Sequence, residues 1–341
     1  MSIISREVQL ASRPAGRVEV SDFRVVERRL ADPGEGEILV GNLWVSVDAA
    51  LRLRLDATPP QGYASPLPLG EPLMGLCVGE VLQSKAPGFA AGDVVIHLHG
   101  YRDYAVVDVN GPTLAGAGAP TVVDVKIAPP QAWLGVLGYT GLTAYAGLLD
   151  VAPLRAGDVV WVSAAAGATG SVAAQIAKLR GHTVIGSAGS PEKVRYLLDE
   201  LGLDAAFSHH EDLRAALHRC APDGIDVYFD NVGGDHLEAA LHALREGGRV
   251  ALCGAIAEYD GTPARGPRNM FQIVAKSLQL RGFRSGHYVG RMDDMRRDLG
   301  GWLRDGRLKF REQVFEGLGS APRAIVALLH GGTTGKVLVR I

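Results

Sequence analysis

Two hydrophobic rhythms divide the chain. Up to about residue 125, apolar positions come in short stretches, among them Glu37–Val47, Gly75–Leu82 and Asp93–His97, separated by turn signals at Asp32-Pro33-Gly34, Pro59-Pro60 and Ala86-Pro87-Gly88. Short apolar runs punctuated by Pro and Gly are what strands and tight turns require, so this part predicts a mostly β domain. Gly111–Gly118, rich in small residues, predicts a loop. From about residue 126 the rhythm changes to an alternation. Strands are predicted at Val159–Ser163, Thr183–Ser187, Ile225–Asp230, Arg249–Cys253 and Leu278–Gly282, and helices at Thr169–Arg180, Pro191–Leu201 and His236–Leu244. Near-continuous apolar strands alternating with helices make βαβ units, whose parallel sheet is covered on both faces. After about residue 305 a last β pattern, Gly335–Ile341, is expected to return to the first domain. The fold class is therefore α/β: a Rossmann doubly wound parallel sheet over 126–305, and a mostly β domain formed by 1–125 with 306–341.

Composition narrows the function. A chain of 341 residues has room for about two domains at roughly 150 residues each. Lys and Arg number 35 against 37 Asp and Glu, a balance that gives no footprint for nucleic acid or an anionic membrane. Cys77, Cys220 and Cys253 are far apart and form no CxxC pair, which reads as structural thiols in a reducing cytosol. The first residues carry charges where a signal peptide needs an apolar run, and no uninterrupted apolar stretch reaches membrane-spanning length, so a cytoplasmic protein is expected.

Metal and nucleophilic chemistry find little support. His97 and His99 alternate along a predicted strand and are read as unable to share one face, and Cys77 precedes His97 by 20 residues. No four-ligand zinc spacing results, so no metal is expected. His209-His210 reads as a loop or a neighbour of a phosphate. No GxSxG elbow is present. Hydride transfer from a bound cofactor remains.

The strongest local signal is Val159-Val160-Trp161-Val162-Ser163-Ala164-Ala165-Ala166-Gly167-Ala168-Thr169-Gly170-Ser171, a strand entering a turn of small residues and then a helix. Small residues let backbone approach a pyrophosphate, and a helix start offers free N–H groups. Gly170 suits a tight helix–strand contact. The match to GxGxxG is imperfect, since Ala165 stands at the first glycine; the βαβ setting is what makes it a dinucleotide loop. The next strand ends in Gly186-Ser187-Ala188-Gly189-Ser190, with no acid to hold a ribose 2′-hydroxyl and with Lys193 just beyond. That pattern favours NADPH over NADH.

With these residues in view, the chain resembles the leukotriene B4 dehydrogenase/prostaglandin reductase group of the zinc-independent medium-chain dehydrogenases/reductases, which includes alkenal and curcumin double-bond reductases. The resemblance runs from about Arg13 to the C-terminus. It rests on Gly141-Leu142-Thr143-Ala144-Tyr145, on Ala164–Ser171 with Gln175-Ile176-Ala177-Lys178, and on Gly189-Ser190-Pro191-Glu192-Lys193. Tyr228-Phe229-Asp230-Asn231-Val232-Gly233-Gly234 and Cys253-Gly254-Ala255-Ile256 complete it. It implies a GroES-like catalytic domain beside the Rossmann domain, and a homodimer joined through the sheet edge at Leu278–Gly282.

The resemblance also implies residue roles. Gly167, Ala168, Thr169, Gly170 and Ser171 would bind the pyrophosphate, and Lys193 would face the 2′-phosphate. Asn231 and the run Cys253, Gly254, Ala255, Ile256 to Tyr259 would border the ribose and nicotinamide. Phe283, Arg284 and Ser285 would line the nicotinamide side, and Thr143 would contact the carboxamide. Three positions depart from the group's pattern. His209 stands where mammalian members have a tyrosine that assists 2′-phosphate binding, which softens the preference over NADH. Thr333 replaces an asparagine before the last strand. The motif VDPYMR reads Val47-Asp48-Ala49-Ala50-Leu51-Arg52, and losing the aromatic at Ala50 reshapes the substrate side.

The implied reaction is reduction of the C=C bond of an α,β-unsaturated carbonyl. Hydride adds to the β-carbon, and charge developing on the carbonyl oxygen is stabilised by the cofactor ribose and by Tyr259, a neutral phenol donor. Tyr63, Tyr101, Tyr104, Tyr139 and Tyr288 are read as packing residues, with lining of a cleft as the alternative. Two alternatives stay open: an NADPH-dependent quinone reductase on the same scaffold, and a non-catalytic NADPH-binding sensor or interaction protein.

Overall fold

The computed structural model describes residues 3–111, 120–259 and 266–341. The loop expected at Gly111–Gly118 lies, apart from Gly111, outside them. The chain divides into two compact units, Met1–Gly138 with Glu312–Ile341, and Tyr139–Arg311. Among the described residues no helix is long and apolar enough to cross a membrane.

In the first unit β1 (Ile4–Leu10) and β2 (Phe23–Arg29) form an antiparallel pair. They are followed by β3 (Glu37–Val47), the short α1 (Arg52–Leu55), β4 (Cys77–Ser84), β5 (Val94–His97), β6 (Tyr104–Asp108) and β7 (Thr121–Val122). The second unit runs α2 (Tyr139–Ala146), β8 (Val159–Val162), α3 (Ala168–Leu179), β9 (Thr183–Ala188), α4 (Pro191–Arg195), β10 (Ala205–Ser208) and α5 (Leu213–Cys220). It continues with β11 (Ile225–Asp230), α6 (Gly234–Ala243), β12 (Leu244–Leu252), α7 (Phe271–Ala275), β13 (Gln279–Gly282) and α8 (Met292–Arg304). The chain ends with β14 (Glu312–Glu316), α9 (Ala321–Leu329) and β15 (Lys336–Arg340).

The tail does return to the first unit. β15 pairs antiparallel with β3, Val337 opposite Val47, in a sheet ordered β14-β15-β3-β4-β5-β7, with β6 also on β3. Inward residues of β1, β3 and β15 (Val8, Leu10, Val45, Val47, Val337, Val339) join Leu318 and Ile325 in one core. The apolar stretches that predict β3 and β15 therefore supply residues of this core.

The same sheet overturns the reasoning about His97 and His99. Strand residues two apart project to one face, and their rings stack with centroids 6.1 Å apart. Strand pairing sets Cys77 opposite His97, its Sγ 3.3 Å from His97 Nε2. Burial, His99 and Arg102 push the His97 imidazole down to about 3, and burial raises the Cys77 thiol, so both are neutral. Among the described residues no group of three or more His, Cys, Asp or Glu is placed to hold a metal ion.

The second unit is an all-parallel sheet ordered β10-β9-β8-β11-β12-β13. Its central strands β8, β9 and β11 are buried on both faces, as their near-continuous apolar runs require; Trp161, Phe207, Tyr228, Leu241 and Val250 lie in one cluster. α3 packs through Val172, Ala173, Ala174, Ile176 and Ala177. The strand order reverses between β8 and β11: the chain winds outward from β8 through β9 to β10, then crosses back to β11. Open α/β sheets bind ligands outside the carboxyl ends of strands at such a switch point.

Candidate functional site

Most of the residues singled out in the second unit follow the carboxyl ends of its strands: Gly167–Ser171 after β8, Lys193 after β9, His209 after β10, Asn231 after β11, Cys253–Tyr259 after β12 and Phe283–Ser285 after β13. β8 ends at Val162, and the chain turns through Ser163 and Ala164, which takes a left-handed φ of 47°. The turn is tied to its neighbour by Ala165 N–H donating to Ser187 O at 3.0 Å. A Cβ on Gly170 would meet Ala164 O at 2.4 Å and Ala165 Cα at 2.8 Å. Backbone cannot give way there, so only glycine lets the first turn of α3 rest on the loop. Gly167 precedes the helix without capping it by a side chain, and the first turn carries no acid. The early N–H groups of this twelve-residue helix lack intrahelical acceptors and favour an anion. Ala168 and Thr169 are half-buried, and Gly170 and Ser171 are buried.

The loop after β11 is held by a buried polar network. Asp230 is fully buried. Its Oδ1 accepts from the Tyr228 hydroxyl at 2.8 Å and from Val232 N–H and Gly233 N–H at 2.9 and 2.8 Å. Its carbonyl accepts from Cys253 N–H and Gly254 N–H at 2.9 and 3.0 Å. Asn231 donates through Nδ2 to Ser163 O at 2.7 Å and through its backbone N–H to Ser163 Oγ at 3.0 Å. Ser163, Tyr228 and Asp230 thus lock the ends of β8, β11 and β12 together. The loop after β12 closes over them: Ile256 N–H and Ala257 N–H donate to Asn231 O and Val232 O. A Cβ on Gly254 would stand 3.5 Å from the Tyr259 hydroxyl and 3.3 Å from Asn231 O, so Asn231, Gly254 and Tyr259 are neighbours. Burial and Asp230 push the Cys253 thiol up to about 12, which leaves it neutral.

A third group gathers where β9 and β10 end. No acid follows β9. Ser190 caps α4 by accepting from Lys193 N–H. His209 N–H donates to Ala188 O at 2.9 Å, and the His209 ring lies on the β9 exit, 3.0 Å from where a Gly189 Cβ would be. Lys193 acts electrostatically on that ring.

Thr143 lies on α2 and donates its hydroxyl back to Tyr139 O at 2.7 Å. α2 reaches the sheet because a Gly147 Cβ would meet Phe229 at 2.4 Å and Phe283 at 2.9 Å. Phe283 and Arg284 follow β13, and Ser285 opens the 3₁₀ turn after them. Thr333 is buried in the other unit, before β15. Of the tyrosines read as packing residues, Tyr101 is a core residue at 1% exposure, with its hydroxyl donating to Ser46 O.

The donor set fits a phosphorylated dinucleotide: an uncapped helix start behind a glycine turn, a strand end without a carboxylate, and a lysine with a histidine beyond it. Comparisons with known proteins agree. Residues 6–114 match the family described as the N-terminal domain of oxidoreductase, and residues 168–299 the family described as zinc-binding dehydrogenase. The NADPH-dependent curcumin reductase of Escherichia coli is 35% identical over 99% of this chain and 97% of that protein. The NADP(+)-dependent 2-alkenal reductase of Nicotiana tabacum is 35% identical over 99% of this chain and 98% of its own. The crystal structure of CurA from Vibrio vulnificus in complex with NADPH superposes with a TM-score of 0.90 at 35% identity, covering 98% of both chains.

This chain belongs to the zinc-independent alkenal/prostaglandin reductase group of the medium-chain dehydrogenases/reductases.

As a member of that group it is an oxidoreductase. Sequence reasoning overlooked the parts that brace its site: Ser163 reads only as a strand residue, and Tyr228 and Asp230 only as pieces of a motif. A polar Ser, Tyr and Asp inside otherwise apolar strands was the available signal, because buried polar groups must satisfy one another. Gly189, whose missing side chain admits the His209 ring, gives no such signal.

Proposed function

We propose that the protein reduces the C=C bond of an α,β-unsaturated carbonyl, an enal or enone, with NADPH as hydride donor. The observation that carries this reading is the junction of the β8, β11 and β12 ends, where Asn231, Gly254 and Tyr259 meet beside the uncapped start of α3. Reductases of this substrate class at 35% identity over nearly the whole chain support it.

Bound NADPH supplies a hydride from its nicotinamide. The rest is work for the protein. Gly167–Ser171 present backbone N–H groups to the pyrophosphate. Lys193 and His209 face the 2′-phosphate. Asn231 and the Cys253–Ile256 backbone would border the ribose and nicotinamide of the bound cofactor, and Phe283, Arg284, Ser285 and Thr143 would line the nicotinamide side. As hydride reaches the β-carbon, negative charge grows on the carbonyl oxygen. A donor pre-aimed at that oxygen stabilises the transition state more than the ground state, and Tyr259 is that donor, together with the cofactor ribose. Water delivers the proton to the α-carbon.

NADPH should be oxidised with a medium-chain enal or enone and not with the matching saturated aldehyde; the reverse pattern contradicts the reading, and oxidation only by quinones replaces it with quinone reduction. Tyr259→Phe should lower kcat about tenfold or more with little change in NADPH Kd; an unchanged kcat removes Tyr259 from the chemistry. The reading extends to a homodimer through the outer edge of β13. What supports it is that α7, just before β13, leaves Phe271 and Val274 70% exposed or more. Phe271→Asp should yield monomers by light scattering, and a wild type already monomeric contradicts the dimer.

A further inference from the structure

His209 does not sit alone. Its ring meets the edge of His236 at 5.7 Å with planes at 76°, and that of His210 at 4.4 Å. His236, on the first turn of α6, is buried and stacked on Trp161 at 5.9 Å, and its Nε2 has no hydrogen-bond partner. From α4, Lys193 acts electrostatically on the same ring. The nearby acids have other employment: Glu211 accepts from Ser208 N–H and pairs with Arg219, Asp212 caps α5, Glu192 pairs with Arg195, and Asp235 is exposed. Three imidazoles and one ammonium therefore gather at the ends of β9 and β10, and the acids just named are engaged elsewhere or exposed.

We infer that His209 makes recognition of a 2′-phosphomonoester proton-coupled: binding the phosphate takes up a proton from solvent onto the His209 imidazole, so that cofactor preference depends on pH. This rests on the cofactor reading above and goes beyond it. The physical basis is a reversal of field. Without ligand, burial, His210 and Lys193 hold the His209 ring neutral. A phosphate dianion set between Lys193 and His209 places opposite charge against the ring, which favours its protonated form. The Lys193 ammonium keeps the phosphate, whose own second pKa is near 6, in its dianionic form. The proton gained therefore resides on the ring, where it completes a charge-assisted hydrogen bond. His236 does not compete for it, because burial first and His209 second push it down to about 4; its neutral ring backs that of His209. A ligand without the 2′-phosphate brings no such charge.

The test is titration calorimetry of the full-length protein with 2′,5′-ADP and with 5′-AMP, each in two buffers of different ionisation enthalpy at pH 7.5. The wild type should take up between half and one proton with 2′,5′-ADP and none with 5′-AMP, and its Kd for 2′,5′-ADP should fall by up to tenfold per pH unit of acidification between the free and bound pKa of His209. His209→Gln, which keeps a hydrogen-bond donor but cannot titrate, should bind without uptake, and His236→Phe should retain it. Tight binding of 2′,5′-ADP without uptake, or uptake that survives His209→Gln, overturns the proton coupling and leaves the NADPH reading intact. Uptake lost in His236→Phe but kept in His209→Gln moves the proton to His236 and overturns the assignment. Equal affinity for the two nucleotides overturns the NADPH reading itself.

Discussion

The two ends of the proposed cofactor site are built on opposite principles. At β8 the chain offers backbone: a turn of alanines and glycines, an uncapped helix start, and a glycine that rests on Ala164 O. At the ends of β9 and β10 it offers side chains, Lys193 and His209, beside the buried His236. A site made of N–H groups is fixed by packing and indifferent to pH. A site made of an ammonium and imidazoles is adjustable by substitution and by protons. In the proposed reading the first end supplies the general grip on a dinucleotide, and the second selects which one.

Substitutions that separate these principles should differ in kind. The largest effect belongs to Gly170→Val. Its Cβ meets backbone from 2.4 Å, so overpacking should destabilise the protein by about 2–3 kcal/mol or more, visible as a fall in melting temperature, and should remove binding of NADPH and NADH alike. A variant that binds either one normally breaks the claim that this turn is the shared grip.

A smaller effect is expected from acid at the other end. His236 is pushed down to about 4 in the folded chain, against about 6.5 when unfolded. A depressed histidine contributes stability that is fully present above the unfolded value and lost as pH falls through about 6.5 towards 4. Denaturant melts should lose about 2 kcal/mol over that window, and His236→Phe should flatten the loss. An equal slope in the variant assigns the effect elsewhere.

Next, Lys193→Ala should raise the Kd for NADPH about tenfold, as loss of a charge-assisted contact of about 1.5 kcal/mol does, and leave that for NADH unchanged. Parallel losses for both would show that the selective end is not selective. The smallest effect should come from Gly167→Ala, whose Cβ would find Ala164 O at 3.2 Å, a contact relieved by a shift of a few tenths of an ångström; its stability should lie within about 0.5 kcal/mol of wild type.

The same contrast explains what the amino-acid sequence discloses. The backbone end was legible, because small residues between an apolar strand and a helix have few other uses, and β3, β8 and β11 follow directly from their apolar runs. Lys193 was singled out from the lack of an acid at the end of β9. β10 was not: Ala205–Ser208 is four residues long and only Phe207 is a large apolar side chain, so its strand character comes from pairing with β9. α8 was missed because Met292–Arg304 is mostly polar and charged, anchored by Met295 and Leu299. The Cys77–His97 contact and the His209–His236 contact both join residues from different strands or helices. Sequence spacing carries no signal for such contacts, and for His97 and His99 it was read with the wrong strand periodicity.

The central claim is the fate of the hydride. Incubation with NADPH deuterated at the transferring position of C4 and a conjugated enone, followed by NMR of the product, tests it most directly. The predicted result is a saturated ketone carrying deuterium on the β-carbon. Deuterium on the carbonyl carbon of an alcohol, or no transfer to carbon at all, would contradict it.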